Sequence, residues 1–209
     1  MTRQTIFRQQ IYDEIKHDII TCVLAPGEPV SENQFVERFQ VSKTPIREAL
    51  SALVDGGLVE YIPNRGFSVT AISIKDIQEI FEARNIYETT LFKMALKNIT
   101  EADIAHLKAI HPPASGDEID IEAFVKANFE FHLVLASFSR NSRLVRHYTN
   151  LLHESQRLVY MDFSHLDMSQ VWGHGHEKII SALQTRDEQA GVAAIEESLQ
   201  NARKRILGI

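Results

Sequence analysis

The stretch from Ser42 to Gly66 constrains the fold more than any other, because it specifies a short amphipathic helix, a glycine stop and a tight hairpin in immediate succession. Ser42 suits a helix N-cap, and Pro45 falls in the first turn, where its missing N–H leaves no hydrogen bond unmade. Lys43 and Arg47 stand four residues apart and share one helix face, while Ile46, Leu50 and Leu53 occupy another. One face is free to meet a partner and the other packs. Asp55-Gly56-Gly57 ends the helix, since glycine takes the left-handed conformation of a C-terminal cap. Leu58 to Ile62 and Phe67 to Thr70 then read as paired strands, rich in β-branched and aromatic residues, around the turn Pro63-Asn64-Arg65-Gly66 with Arg65 at its tip.

Upstream, Ile11, Ile15 and Ile19 form a helical stripe that stops at the turn Ala25-Pro26-Gly27-Glu28-Pro29. Ser31 caps a second short helix carrying Phe35, Val36 and Phe39, and the third helix follows within a few residues of Gln40-Val41. That spacing is the helix-turn-helix arrangement, with a helix fit to enter a major groove and a wing behind it.

From Ser73 onward the pattern is helical only. Ile77, Ile80, Phe81, Arg84, Tyr87, Glu88, Leu91 and Ala95 recur at helical spacing up to Asn98, and Thr100 to Asp103 opens another helix. His111 to Gly116 is a breaker-rich linker, after which Phe124, Ala127, Phe131, Leu135 and Phe138 line one side of a helix. The segments 141–159, 168–185 and 187–207 continue the pattern. The fold class is therefore mainly α: a winged helix-turn-helix over residues 1–72, joined at Ala71-Ile72 to an all-α antiparallel bundle of about six helices over 73–209.

Composition sets the limits. With 44% hydrophobic residues in 209, the chain can bury a real core. Its apolar runs are too short to span a bilayer, no charged-then-apolar leader opens it, and one cysteine forms no internal disulfide, which together fit a reducing cytoplasm. The net charge is −6, so the cationic signal is local to Lys43, Arg47 and Arg65, and a modest number of phosphate contacts per subunit is expected.

The ordered runs Leu24-Ala25-Pro26-Gly27-Glu28, Ser31-Glu32-Asn33, Val41 to Leu50, Gly57-Leu58-Val59 and Arg65-Gly66-Phe67 resemble the winged helix-turn-helix of GntR-type bacterial regulators. The runs Phe81 to Arg84 with Glu88, Asn128 to His132, His176 to Leu183 and Arg186-Asp187 are similar to the ligand-sensing domain of the FadR/FCD branch, and six helices favour its VanR-like subgroup. The resemblance implies a homodimer on a palindromic operator, acting as a repressor that answers to a small organic acid. It implies that Asn33, Ser42 and Thr44 contact phosphates or base edges, that Lys43 and Arg47 read bases, and that Arg65 with Gly66 approaches the minor groove. Cys22 departs from the family, which often has glycine there, and suggests a slightly different end to the first helix.

In that branch an aspartate and three histidines commonly hold a divalent metal under the ligand pocket. Here the aspartate position is Asn128, His132 and His176 match two histidines, and the third histidine position falls at Ser198. An amide oxygen is a poor ligand and a serine hydroxyl a rare one, so Asn128, His132 and His176 would hold zinc or nickel weakly unless His174, a water or the effector completes the set. The competing reading makes Asn128, His132 and His176, with Arg84, hydrogen-bonding groups that take an organic acid directly. Arg84 itself has two readings: an intrahelical ion pair with Glu88, or a cation for the effector's carboxylate. The plainest reading leaves the histidines as satisfied core groups, and His106, His111, His147, His153 and His165 as surface or packing residues, with Tyr160 and Trp172 in the core or the pocket wall. Two alternatives to a regulated DNA-binding protein are a metal-dependent hydrolase centred on His132, His176, Glu130 and Glu177, which lacks a nucleophile and a complete ligand set, and a DNA-binding dimer whose pocket no longer functions.

Overall fold

The computed structural model describes residues 3–111, 120–162 and 169–208, and the side chains of 7–111, 120–161 and 175–208. The linker residues 112–116, His165 and the side chains of Trp172 and His174 lie outside the described residues. The chain divides into two compact units, Met1–Ser73 and Ile74–Ile209.

In the first unit, α1 (Arg3–Ile20), β1 (Pro29–Val30), α2 (Glu32–Phe39), α3 (Lys43–Asp55), β2 (Val59–Ile62) and β3 (Gly66–Val69) follow one another. The stripe Ile11, Ile15 and Ile19 is fully buried against Ile46, Leu50 and Leu53 of α3, with Phe35 of α2 and Leu58, Val59, Phe67 and Val69 of the wing closing one core. Burying these side chains is the main stabilising term of so small a unit, roughly 1.5–3 kcal/mol for each large one. Arg38 of α2 reaches back to both Glu14 and Asp18 of α1, fixing the first two helices of the motif.

The sheet runs β1-β3-β2, antiparallel throughout. The segment read as a turn through Pro29 thus ends in a two-residue strand: Pro29 pairs with Ser68 and Val30 with Phe67. Proline is tolerated there because β1 is an edge. At the wing tip Arg65 N–H donates to Ile62 O at 3.0 Å, with Pro63 and Asn64 between them and Asn64 at φ 64°. Proline first and asparagine in the left-handed region second make a type II turn, and Gly66, at φ 86°, starts the return strand.

Two details of the helix ends stand out. Ser31 and Ser42 do occupy N-cap positions, but neither side chain makes the capping hydrogen bond. Cys22, just past the end of α1, itself adopts φ 59°, and Leu24 N–H closes back on Asp18 O at 3.0 Å. The chain holds a side chain in a conformation that costs glycine nothing.

The second unit contains α4 (Ile74–Leu96), α5 (Glu101–Ala109), α6 (Ile121–Ser137), α7 (Ser142–Asp162), α8 (Ser169–Thr185) and α9 (Glu188–Leu207). The only sheet among the described residues is the one in the first unit. α4 is central, packed on α6, α7 and α9. Thr100 and Asp103 form a capping box at the start of α5, and Asp120 and Asp187 cap α6 and α9 through their side chains. Arg186, in the α8–α9 turn, donates to Leu96 O and Ile99 O at 2.8 Å each, satisfying carbonyls left open where α4 ends. None of the helices in the described residues is long and apolar enough to cross a membrane.

Candidate functional site

On α3 the packing of Ile46, Leu50 and Leu53, all fully buried, turns the opposite face outward. Ser42, Lys43, Thr44 and Arg47 are exposed there, as are Asn33 on α2 and Arg65 on the wing; Gly66 is half-buried. All seven residues expected to meet DNA belong to one unit and none is in its core. The Ser42 side chain makes no capping bond, and its exposed O–H is a donor of the kind a phosphate accepts from.

Two partners of this surface are not legible from local spacing. Arg47 Nε donates to both carboxylate oxygens of Glu32, the first residue of α2, at 3.0 Å each. Arg8 of α1 pairs with Glu48 of α3 at 3.3 Å, across a groove of about 780 Å³ lined also by Tyr12, Thr44 and Arg47. These contacts join residues 15 and 40 positions apart, so only the packing of α1 and α2 on α3 reveals them.

The second candidate site lies in the helical unit. Arg84 and Glu88 on α4, His132 on α6, Tyr148 on α7 and His176 on α8 are all buried; Arg84, Glu88, His132 and His176 form a connected polar chain, and Tyr148 stands beside Arg84. Arg84 Nε donates to Glu88 Oε1 at 2.8 Å. Glu88 Oε2 lies 3.5 Å from His132 Nδ1, and His132 Nε2 lies 3.5 Å from His176 Nε2. The ring of Phe131 covers His176 with centroids 4.0 Å apart.

The Arg84–Glu88 pair is thus made, but it is not the exposed helical pair worth a few tenths of a kcal/mol. Both side chains are under 10% exposed, so removing either partner would leave a buried charge uncompensated. Burial works against the charge of Arg84, and the adjacent Glu88 carboxylate outweighs it, holding the guanidinium pKa above its ordinary value. Burial, reinforced by Arg84, lowers His132 to about 3. Burial and then His132 lower His176 to about 3. Both imidazoles are therefore neutral near pH 7. Burial and the Glu88 charge push the Tyr148 phenol well above its usual range, so it stays protonated. The carboxylate behind His132 favours the tautomer with the proton on Nδ1, which leaves Nε2 to accept from His176.

This arrangement bears on the metal. Glu88 approaches His132 at Nδ1, the nitrogen turned away from His176, so it orients the ring from behind and does not join the nitrogens at a shared point. Asn128, one turn before His132, is half-buried, and among the described residues it has no hydrogen bond to either histidine. Ser198 of α9 does stand beside α8, its Oγ 3.1 Å from where a β-carbon on Gly175 would lie. Two imidazoles fall short of a tetrahedral set, and no group of three or more His, Cys, Asp or Glu among the described residues is placed to hold an ion. The residues that gather here do not fit the metal centre common in the family. Of the remaining histidines, His106, His111 and His147 are exposed, and His153 stacks on Phe129 with centroids 4.8 Å apart.

Two domain families account for most of the chain: residues 7–69 match the bacterial regulatory proteins of the gntR family, and residues 79–201 match the FCD domain. The chain belongs to the GntR family of transcriptional regulators, in its FCD-containing branch, and carries a DNA-binding unit and a ligand-binding domain rather than an enzyme's centre. It is 31% identical over 200 residues to the HTH-type transcriptional repressor RspR of Escherichia coli (strain K12), covering 95% of this chain and 88% of that one. Its identity to the HTH-type transcriptional regulator LutR of Bacillus subtilis (strain 168) is also 31%, over 207 residues, 88% of this chain and 94% of that one. In fold it is similar to E. coli McbR/YncC, with a TM-score of 0.83 at 21% identity over 100% of this chain and 99% of that one. A GntR regulator from Rhodococcus sp. RHA1 gives 0.78 at 22% identity, over 96% of this chain and 97% of that one.

Proposed function

We propose that this chain is a cytoplasmic repressor that dimerises through residues 73–209, reads one half of a palindromic operator with each copy of residues 1–72, and releases it when a small organic acid binds the helical unit. The observation that carries the DNA reading is the division of α3 into a fully buried apolar face and an exposed face bearing Lys43, Thr44 and Arg47. Lys43 and Arg47 supply donors to base edges, Asn33, Ser42 and Thr44 supply phosphate contacts, and Arg65 with Gly66 brings the wing to the minor groove. Two-fold symmetry in the protein demands it in the operator. The name of RspR is that of a repressor, which supports the same sign of regulation here.

The ligand reading rests on the buried chain Arg84–Glu88–His132–His176, because polar groups placed at that depth need a partner or a purpose. Arg84 Nε serves Glu88 and its guanidinium also lies against Tyr148, so an incoming carboxylate competes with these partners and does not meet a bare cation. Neutral histidines then hydrogen-bond the ligand directly, without a metal between, and Asn128 lines the same helix one turn away.

Arg47→Ala tests the central assignment. Operator affinity should fall by roughly 1–3 kcal/mol, with preference relaxed at one base pair per half-site. A titration showing unchanged affinity and unchanged sequence preference would remove Arg47 from the reading surface.

A further inference from the structure

Glu32 is an acid beside a surface that has to meet phosphates, and that placement calls for a reason. Its side chain is 19% exposed against 62% for Arg47, and both its oxygens accept from the same atom, Arg47 Nε. A guanidinium is planar, with Nε on the stem side and two Nη groups at the far end. Engaging Nε fixes the rotation of that plane and leaves the Nη donors to a partner beyond the helix. An arginine reading guanine needs two parallel donors in a fixed plane, and a long exposed side chain otherwise loses rotamer freedom when it binds.

We infer that Glu32 is a positioning residue for base recognition: by holding Arg47 at Nε from the start of α2, it presents the two Nη groups as one fixed fork to a guanine edge. The inference rests on the DNA reading proposed above. Glu32 touches no base in this scheme and acts through Arg47. The rival role is purely structural, an acid favouring the positive end of α2. A second rival is electrostatic, in which Glu32 only weakens binding to every DNA sequence alike.

The full-length protein is used to select sites from random duplex DNA, and selection is repeated with Glu32→Ala, Glu32→Gln, Arg47→Ala and the Glu32→Ala/Arg47→Ala double variant. Glu32→Ala should reduce the preference for guanine at the pair that Arg47→Ala relaxes by roughly fivefold or more. Its affinity for non-specific duplex should hold or rise, since one acid has left the interface. Glu32→Gln keeps an acceptor for Nε and should retain most of the preference, and the double variant should show no loss beyond that of Arg47→Ala. Equal losses in the Ala and Gln variants would assign Glu32 to the helix start and overturn the proposal, as would an unchanged guanine preference in Glu32→Ala or a further loss in the double variant. A wild-type protein that selects no site, or an Arg47→Ala variant that relaxes no base, would overturn the DNA reading and this inference together. The Arg47 Nε–Hε resonance gives a readout independent of DNA: it should be shifted and protected from exchange in the wild type and lose both properties in Glu32→Ala. Identical resonances in the two proteins would overturn the inference while leaving the DNA reading intact.

Discussion

Cys22 shows how a single residue can carry strain that the fold tolerates. At φ 59° it sits in the left-handed region, where a β-carbon meets the following carbonyl and costs roughly 1–2 kcal/mol. Glycine would remove that strain but adds freedom to the unfolded chain worth roughly 0.4–1 kcal/mol. The difference predicts that Cys22→Gly stabilises the first unit by about 0.5–1 kcal/mol, read as a higher denaturant midpoint at unchanged slope. Cys22→Ala keeps the β-carbon and should give no such gain, which separates backbone strain from any effect of the thiol. The same scale holds the sensor cluster's logic. Removing Glu88 would free His132 to rotate and leave Arg84 a buried charge alone, so one carboxylate fixes both neighbours.

Among the elements, α9 packs closely on α4 at Gly191. A β-carbon on Gly191 of α9 would lie 1.9 Å from Phe92 Cζ and 2.2 Å from its Cε1, and Phe92 is fully buried on α4. Alanine is ordinarily the better helix residue by about 1 kcal/mol, but forcing α9 off α4 should more than cancel that gain. Gly191→Ala is therefore expected to lower the stability of the helical unit by about 1–3 kcal/mol in thermal unfolding. Combining it with Phe92→Leu should recover part of the loss, because the two changes share one contact and are not additive. Elements of this kind were largely legible beforehand: the isoleucine stripe of α1, the two-faced α3, the glycine stop and the wing each follow from local spacing, as do the six later helices. β1 was not, since two residues show no alternation and the pairing partner lies 37 or more positions away. Nor were Glu32 and Arg8 beside α3, or Glu88 behind His132 and Tyr148 beside Arg84. Periodicity assigns each residue to a face of its own helix, but which foreign residue meets that face depends on how whole helices pack.

For the whole molecule, the proposed regulation is a coupling between two equilibria in one chain, which makes it testable without knowing any structural path. The net charge of −6 means that affinity for DNA rests on a few placed cations, so a change in their spacing across a dimer can alter affinity substantially. An acid that binds the helical unit and weakens operator binding by a factor α must itself be bound α-fold more weakly by the operator complex. Typical couplings are roughly 5–150-fold, within reach of calorimetry. The experiment titrates an organic acid found to release the operator into the free protein and into the saturated operator complex, and compares the two dissociation constants. Equal factors from the two directions are expected, and the ligand's contrast between free and DNA-bound protein should disappear in a protein carrying Arg47→Ala tested at DNA concentrations too low for that variant to bind. A ligand that releases DNA and shows no binding to the operator complex at any concentration would argue against coupling between separate sites. It would point to direct competition for the surface of α3, and the polar chain from Arg84 to His176 would then have no part in control.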